Sequence, residues 1–252
     1  MQDLVYHICQ KLYSHEIENQ ILKYFNNNNR DKTVFDVGCF KGHFTENFIK
    51  NEQKLGIKSN FFLFDPNPNV ENYLKLVLKN EKIKYFNLAL DNSNSEKKFY
   101  LNNFFEPSGS SLNTVIRDDK KWKSTRKIFM QIFQPFKKIK DFSEINVQTQ
   151  TLDNFCLNAK IENIDVLKID TEGNELNVLK GAKRLLSENR INIIYTEISE
   201  TKRNFFEKEK SIINFLNSYN FELKRKYQIK SFSFLSGLKG TDNLFVNKNI
   251  IH

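Results

Sequence analysis

The stretch TVFDVGCFKGHFTENF, Thr33 to Phe48, decides the fold. Val34–Val37 is a short, nearly continuous apolar run that carries one acid, Asp36. Gly38 and Gly42 follow, and an apolar-periodic segment opens at Phe44. The pattern reads as a buried strand, a bare turn and a helix. In open α/β sheets ligands sit at the carboxyl ends of strands. Glycines let a ligand approach the backbone there, and the next helix presents its positive end. A dinucleotide fingerprint would read G-x-G-x-x-G. Here the spacing is Gly38-x-x-x-Gly42, with an acid two residues ahead and no third glycine. An acid at that point suits a cationic ligand better than a pyrophosphate. Taken alone, the stretch also reads as a plain strand-to-helix turn.

Working outward, apolar runs alternate with helical patterns. Strands are expected at Phe61–Phe64, Ile83–Leu90, Ile145–Thr149, Ile164–Ile169 and Ile191–Ile198. Helices are expected from Pro68 to Leu78, over Leu152–Leu157 and Leu176–Leu186, and on to Tyr219. Phe221–Lys226, Ser231–Leu235 and Leu244–Val246 close the chain as strands, and Phe99–Leu101 is a short extra one. Runs without polar alternation suit parallel strands buried on both faces. The rhythm predicts an α/β, Rossmann-like, doubly wound sheet. Residues 3–29 read as helical, so 1–30 is expected as a helical extension and 31–252 as the main domain. Residues 104–143 break the rhythm with Pro107, Gly109, Trp122 and Pro135, and read as an inserted cap.

The chain has 252 residues, a net charge of +9 and 24 Phe. Cys9, Cys39 and Cys156 are scattered and odd in number, which argues against a disulfide framework or a zinc site. There is no basic-then-apolar leader pattern and no apolar run of membrane-spanning length. The reading is a soluble, cytoplasmic protein, with peripheral membrane contact left open. Between Arg117 and Lys140 nine Lys or Arg stand against two acids. Such a segment concentrates phosphate-bearing ligands, or is a solvated loop.

Acids recur at the strand ends. Asp65, in FFLFDPNPN, stands where nucleotide binders place an acid against ribose hydroxyls. Asp91, in NLALDNS, is expected near an adenine or in an ordinary turn. Asp170, Glu172 and Gly173 end the Ile164–Ile169 strand, with Glu175 one turn on, and Glu197 ends the next. Neighbouring tips bring Asp170, Glu172 and Glu197 together, so a pKa should rise or a cation should bind. Glu172 or Glu175 can also simply complement a helix dipole. His43 and the Gly109–Ser111 turn are weaker candidates, and Asp153 reads as helix-start chemistry.

The ordered set VFDVGCFKGHFT, FFLFDPNPN, NLALDN, VQTQTLDNFC, VLKIDTEGNELNVLKGA and NLFVNK, from Thr33 to Lys248, resembles the FkbM-type family of S-adenosylmethionine-dependent methyltransferases. Its most specific parts are Lys168-Ile-Asp-x-Glu-Gly173, the following Leu-Lys-Gly181-Ala182 and Thr-Leu-Asp153. The family often has Asp-Val-Gly-Ala-Asn where this chain has Asp36-Val-Gly38-Cys39-Phe40, and Glu where it has Asp65. The resemblance implies a class I methyltransferase fold of about seven strands with an antiparallel C-terminal strand. It implies methyl transfer to a hydroxyl, often of a sugar or natural product. It places the methionine half at Asp36, Gly38, Cys39, Phe40 and Gly42. The ribose falls at Asp65, Pro66 and Asn67, the adenine at Ala89, Leu90 and Asp91, and the reacting centre at Asp170 and Glu172.

A sugar hydroxyl needs a base in hydrogen-bond reach or a metal that lowers its pKa. Asp170 is the first choice of base and Glu197 the second. Asp170 and Glu197 could instead hold Mg²⁺ or Mn²⁺, and the residues do not decide between these. The expected acceptor is a small molecule or sugar nucleotide, with a glycan as the near alternative. A nucleic-acid methyltransferase is favoured only by the charge, and no amino-methylating tetrad follows the Ile164–Ile169 strand. A non-catalytic nucleotide-binding module would have lost the acids at that strand.

Overall fold

A computed structural model describes residues 17–25, 30–75, 77–102, 110–112, 142–201, 204–228 and 238–250. Helix α1 (Ile17–Leu22) precedes β1 (Lys32–Val37), α2 (His43–Lys54), β2 (Ser59–Phe64), α3 (Val70–Leu74) and β3 (Ile83–Phe86). Then come β4 (Ala89–Leu90), β5 (Ser95–Asn102), β6 (Phe142–Gln150), α4 (Leu152–Asn158) and β7 (Ile164–Ile169). The chain continues through α5 (Glu175–Lys180), α6 (Lys183–Ser187), β8 (Ile191–Thr201), α7 (Phe205–Asn217), β9 (Phe221–Gln228) and β10 (Leu238–Asn247). The basic segment Arg117–Lys140, the strand expected at Ser231–Leu235 and most of residues 3–29 lie outside the described residues.

Seven strands form one sheet in the order β3-β2-β1-β7-β8-β10-β9. The first five run parallel, and β10 lies antiparallel to both β8 and β9. The order reverses between β1 and β7, which opens a crevice at their carboxyl ends. Successive side chains of a strand point to opposite faces. Phe35, Leu167 and Ile194 therefore join one core, while Val34, Val166 and Ile193 join the other. The first core draws on the Phe content: Phe155 of α4 meets Phe64 edge-on at 4.7 Å and Phe86 at 4.9 Å.

Three expectations need correction. The run Ile83–Leu90 is not one strand. It breaks at Asn87–Leu88, and β4 pairs with β6 in a separate three-stranded sheet, β4-β6-β5. The helix expected over Leu176–Leu186 is two, parted at Gly181–Ala182. Asp153 lies in the first turn of α4 but does not cap it; Thr151 does, by accepting from the Asn154 N–H. Asp153 instead reaches across to α6, accepting from the Arg184 N–H at 2.8 Å and the Leu185 N–H at 3.0 Å. Its own N–H donates to the Gly181 carbonyl at 2.9 Å.

Gly181 is held by contact, not by an unusual torsion. A Cβ there would lie 2.1 Å from the Asp91 carbonyl oxygen. We expect Gly181→Ala to cost about 1–3 kcal/mol, the usual range for overpacking, because the obstacle is backbone. Urea unfolding measures this, and unchanged stability would show that the Asp91 turn yields freely.

Candidate functional site

The site begins with a lysine. Lys168 lies on β7 in register with Asp36 on β1, both inside the sheet. Its ammonium stands 3.0 Å from Asp36 Oδ1 and 3.6 Å from Asp170 Oδ2. It also donates to the Gly38 carbonyl at 2.7 Å. Burial pushes the Lys168 pKa down, but Asp36 and Asp170 outweigh it and the net shift is upward. The second Asp36 oxygen accepts from Thr45 Oγ1 at 2.8 Å, which ties the strand to α2.

The turn that follows β1 is pressed against the end of β7. Gly38 has φ +75, and a Cβ on it would fall 1.8 Å from the Asp170 carbonyl oxygen. Gly42 has φ 77 and caps α2. Both glycines are required by the backbone.

Asp65 ends β2. One carboxylate oxygen accepts from the Phe40 N–H at 3.1 Å and the other from the Asn67 N–H at 3.0 Å. Its backbone carbonyl accepts from Tyr85 Oη and Asn87 Nδ2. Burial pushes the Asp65 pKa up to about 6 against the pull of those two N–H groups.

The turn after β7 carries the remaining acids. Glu172 has φ 52 and Gly173 φ 113, so the chain doubles back. The turn's N–H groups go to Glu175 Oε1, at 3.3 Å from Thr171 and 2.7 Å from Gly173. Its carbonyls accept from Ser111 Oγ, at 3.2 Å for Thr171 and 2.9 Å for Glu172.

These tips enclose a cavity of about 350 Å³. Of the residues singled out by sequence, Gly38, Phe40, Asp65, Pro66, Ala89, Leu90, Asp170, Glu172 and Glu197 line it. Asp36, Cys39, Gly42, Asn67 and Asp91 do not. Asp36 is spent on Lys168, and Cys39 and Asn67 are buried. The Asp91 carboxylate pairs with Lys97 and accepts from Asn174 Nδ2. Sequence reasoning gave no site role to Leu88, Phe99, Leu112 and Asn174 on the wall, or to Lys168 behind it, although Lys168 opens the most specific motif. A lysine in the middle of the run VLKI was the available signal for Lys168, since a charge inside a buried strand demands a partner. His43 does not line the cavity, whereas Ser110 does.

The acids raise one another. Burial and the neighbouring Asp170 push Glu172 up to about 8. Glu197 is raised well above the ordinary range by burial, Asp170 and Asp242. Asp170 is also raised by burial, but Lys168 opposes the shift. Cys39 and Cys156 are raised by burial, so neither is a thiolate at neutral pH. Among the described residues no group of three or more His, Cys, Asp or Glu is placed to hold a metal ion. Nor is any described helix long and apolar enough to cross a membrane.

Known proteins resemble this chain in sequence and fold. The chain is 28% identical over 181 residues to the 2-O-methyltransferase NoeI of Sinorhizobium fredii, covering 68% of this chain and 64% of that one. The crystal structure of methyltransferase FkbM from Methylobacillus flagellatus KT superposes with a TM-score of 0.50 at 14% identity. That match covers 88% of this chain and 44% of the other, so the chain spans less than two thirds of either relative. The crystal structure supports the class I methyltransferase fold. The methyltransferase FkbM domain matches residues 36–223, from Asp36 at the tip of β1 to the start of β9, and the chain belongs to that family.

Proposed function

We propose that the chain is an S-adenosylmethionine-dependent O-methyltransferase acting on a sugar hydroxyl, with a nucleotide-linked sugar as the acceptor. The observation that carries the reading is the Asp65 carboxylate on the cavity wall. A carboxylate offers about four lone-pair sites, and the Phe40 and Asn67 N–H groups occupy two. Two remain, the number a ribose diol needs, and the rise of the pKa to about 6 marks a charge short of donors. The donor set therefore fits S-adenosylmethionine.

That molecule, when bound, supplies a methyl group on a positively charged sulfur leaving group. The protein's part is alignment and charge. Gly38 and Phe40 bring the turn's backbone to the methionine end, and Leu88, Ala89 and Leu90 offer an apolar wall to the adenine. Burial and their neighbours hold Glu172 and Glu197 toward the neutral form, and a cationic ligand beside them favours the charged form. Asp170, beside Lys168, is the acid best held ionised, and it takes the acceptor's proton. Transfer to an oxygen is supported by the 2-O-methyltransferase relative. Transfer of labelled methyl from S-adenosylmethionine to a panel of nucleoside diphosphate sugars tests the whole reading. No transfer to any sugar, with transfer to tRNA or rRNA instead, would overturn the acceptor.

Asp170→Asn should leave S-adenosylhomocysteine affinity nearly intact and lower turnover roughly 10²-fold or more. Calorimetry and single-turnover assays separate the two. Turnover that survives in this variant but needs Mn²⁺ would replace the base with a metal.

Asp65 must be charged to accept from the ribose. Because its pKa in the free protein lies near 6, binding below that pH requires loss of a proton. The dissociation constant of S-adenosylhomocysteine should rise up to about tenfold per unit as pH falls from about 6. Asp65→Asn should bind more weakly by about 1.5–3 kcal/mol and lose that part of the slope. Calorimetry from pH 5 to 8 gives both values, and an identical slope in the variant removes Asp65 from the site.

A further inference from the structure

The turn that carries Asp170 and Glu172 is held through a residue outside the cavity wall. Glu175, on α5, is 1% exposed, and one of its oxygens receives the turn's N–H groups. The other oxygen stands 2.8 Å from Lys208 Nζ, on the first turn of α7. Lys208 is itself largely buried, and the same ammonium donates to the Ser199 carbonyl at 3.0 Å. Ser199 lies two residues beyond Glu197 on β8. One cation thus touches Glu175, which holds the Asp170–Glu172 turn, and the strand that brings Glu197 to the cavity wall. Neither Lys208 nor Glu175 lines that wall.

We propose that Lys208 is a positioning residue: through Glu175 it sets the Asp170–Glu172 turn, and through the Ser199 carbonyl it locks that turn to the stretch of β8 carrying Glu197. The proposal rests on the reading of those acids as the reacting centre. The physical need is plain. Glu172 has φ 52, a conformation that a residue with a Cβ keeps only when its surroundings impose it. A carboxylate accepting two backbone N–H groups while buried needs a counter-charge, and Lys208 supplies it. Without it, Glu175 is left as an unpaired buried carboxylate that gains by rotating toward solvent, and the turn's N–H groups then lose their acceptor.

The test is amide NMR on the full chain, with Thr171 and Gly173 as reporters. In Lys208→Met both amide signals should move, and their hydrogen exchange should quicken roughly tenfold or more. The Gly38 and Gly42 amides should stay in place, and Lys208→Arg should restore the Thr171 and Gly173 signals. If Lys208 merely anchors α7, the changes will be confined to α7 and Ser199, and the proposal fails. Should Lys208→Met not fold, Lys208→Gln keeps a donor toward Glu175, and the same amides should move less but in the same direction. Unmoved reporters in a folded Lys208→Gln protein also overturn it. The experiment needs no donor or acceptor. A failed methyl-transfer assay would therefore unseat the enzymatic reading while leaving this result standing.

Discussion

A buried ammonium cannot be left unpaired, and Lys168 has three partners that together set the carboxyl end of the sheet. Asp36 fixes β1 against β7, the Gly38 carbonyl fixes the turn after β1, and Asp170 fixes the first residue beyond β7. Removing one partner of such a pair typically costs about 3–5 kcal/mol, since the other charge stays buried. Gly38 belongs to the same constraint. A side chain there would occupy the space of the Asp170 backbone, so the two turns pack as closely as backbone allows. Fold and cavity are therefore one construction: the contacts that close the switch point of the sheet also build the cavity floor.

Much of this could be read from the sequence because β1, β2 and β7 are buried on both faces. Such strands are short apolar runs with no polar alternation, and Ile164–Ile169 was read to the residue. The misreadings have local causes. Ile83–Leu90 looks like one strand because its apolar residues continue across Asn87, but the chain there changes sheets. Leu176–Leu186 keeps helical period across Gly181, and only the approach of the Asp91 turn reveals the break. Asp153 next to a helix start looks like a cap for that helix, yet its carboxylate caps α6. The Thr-Leu-Asp and Leu-Lys-Gly-Ala segments, 27 residues apart from Asp153 to Lys180, are thus two halves of one joint. No local pattern announces a joint made between distant segments.

The strand-end acids divide in a way that sequence could not show. Asp36, Asp91 and Glu175 each have a lysine of their own, Lys168, Lys97 and Lys208, and none of the three lines the cavity. Asp65, Glu172 and Glu197 do line it, and none has an ion pair within 4.0 Å among the described residues. Asp170 stands between the classes, on the wall and at the edge of Lys168's reach. An acid with an internal cation is neutralised by the fold and adds stiffness. An acid on a concave wall without one is held toward its neutral form in the empty protein, and a ligand bearing positive charge or hydrogen-bond donors favours its ionised form. Because the sequence places all these acids near the carboxyl ends of apolar runs, spacing alone ranks them equally. The lysines that separate them lie on β5, β7 and α7, far apart in the chain, and folding alone brings each to its partner.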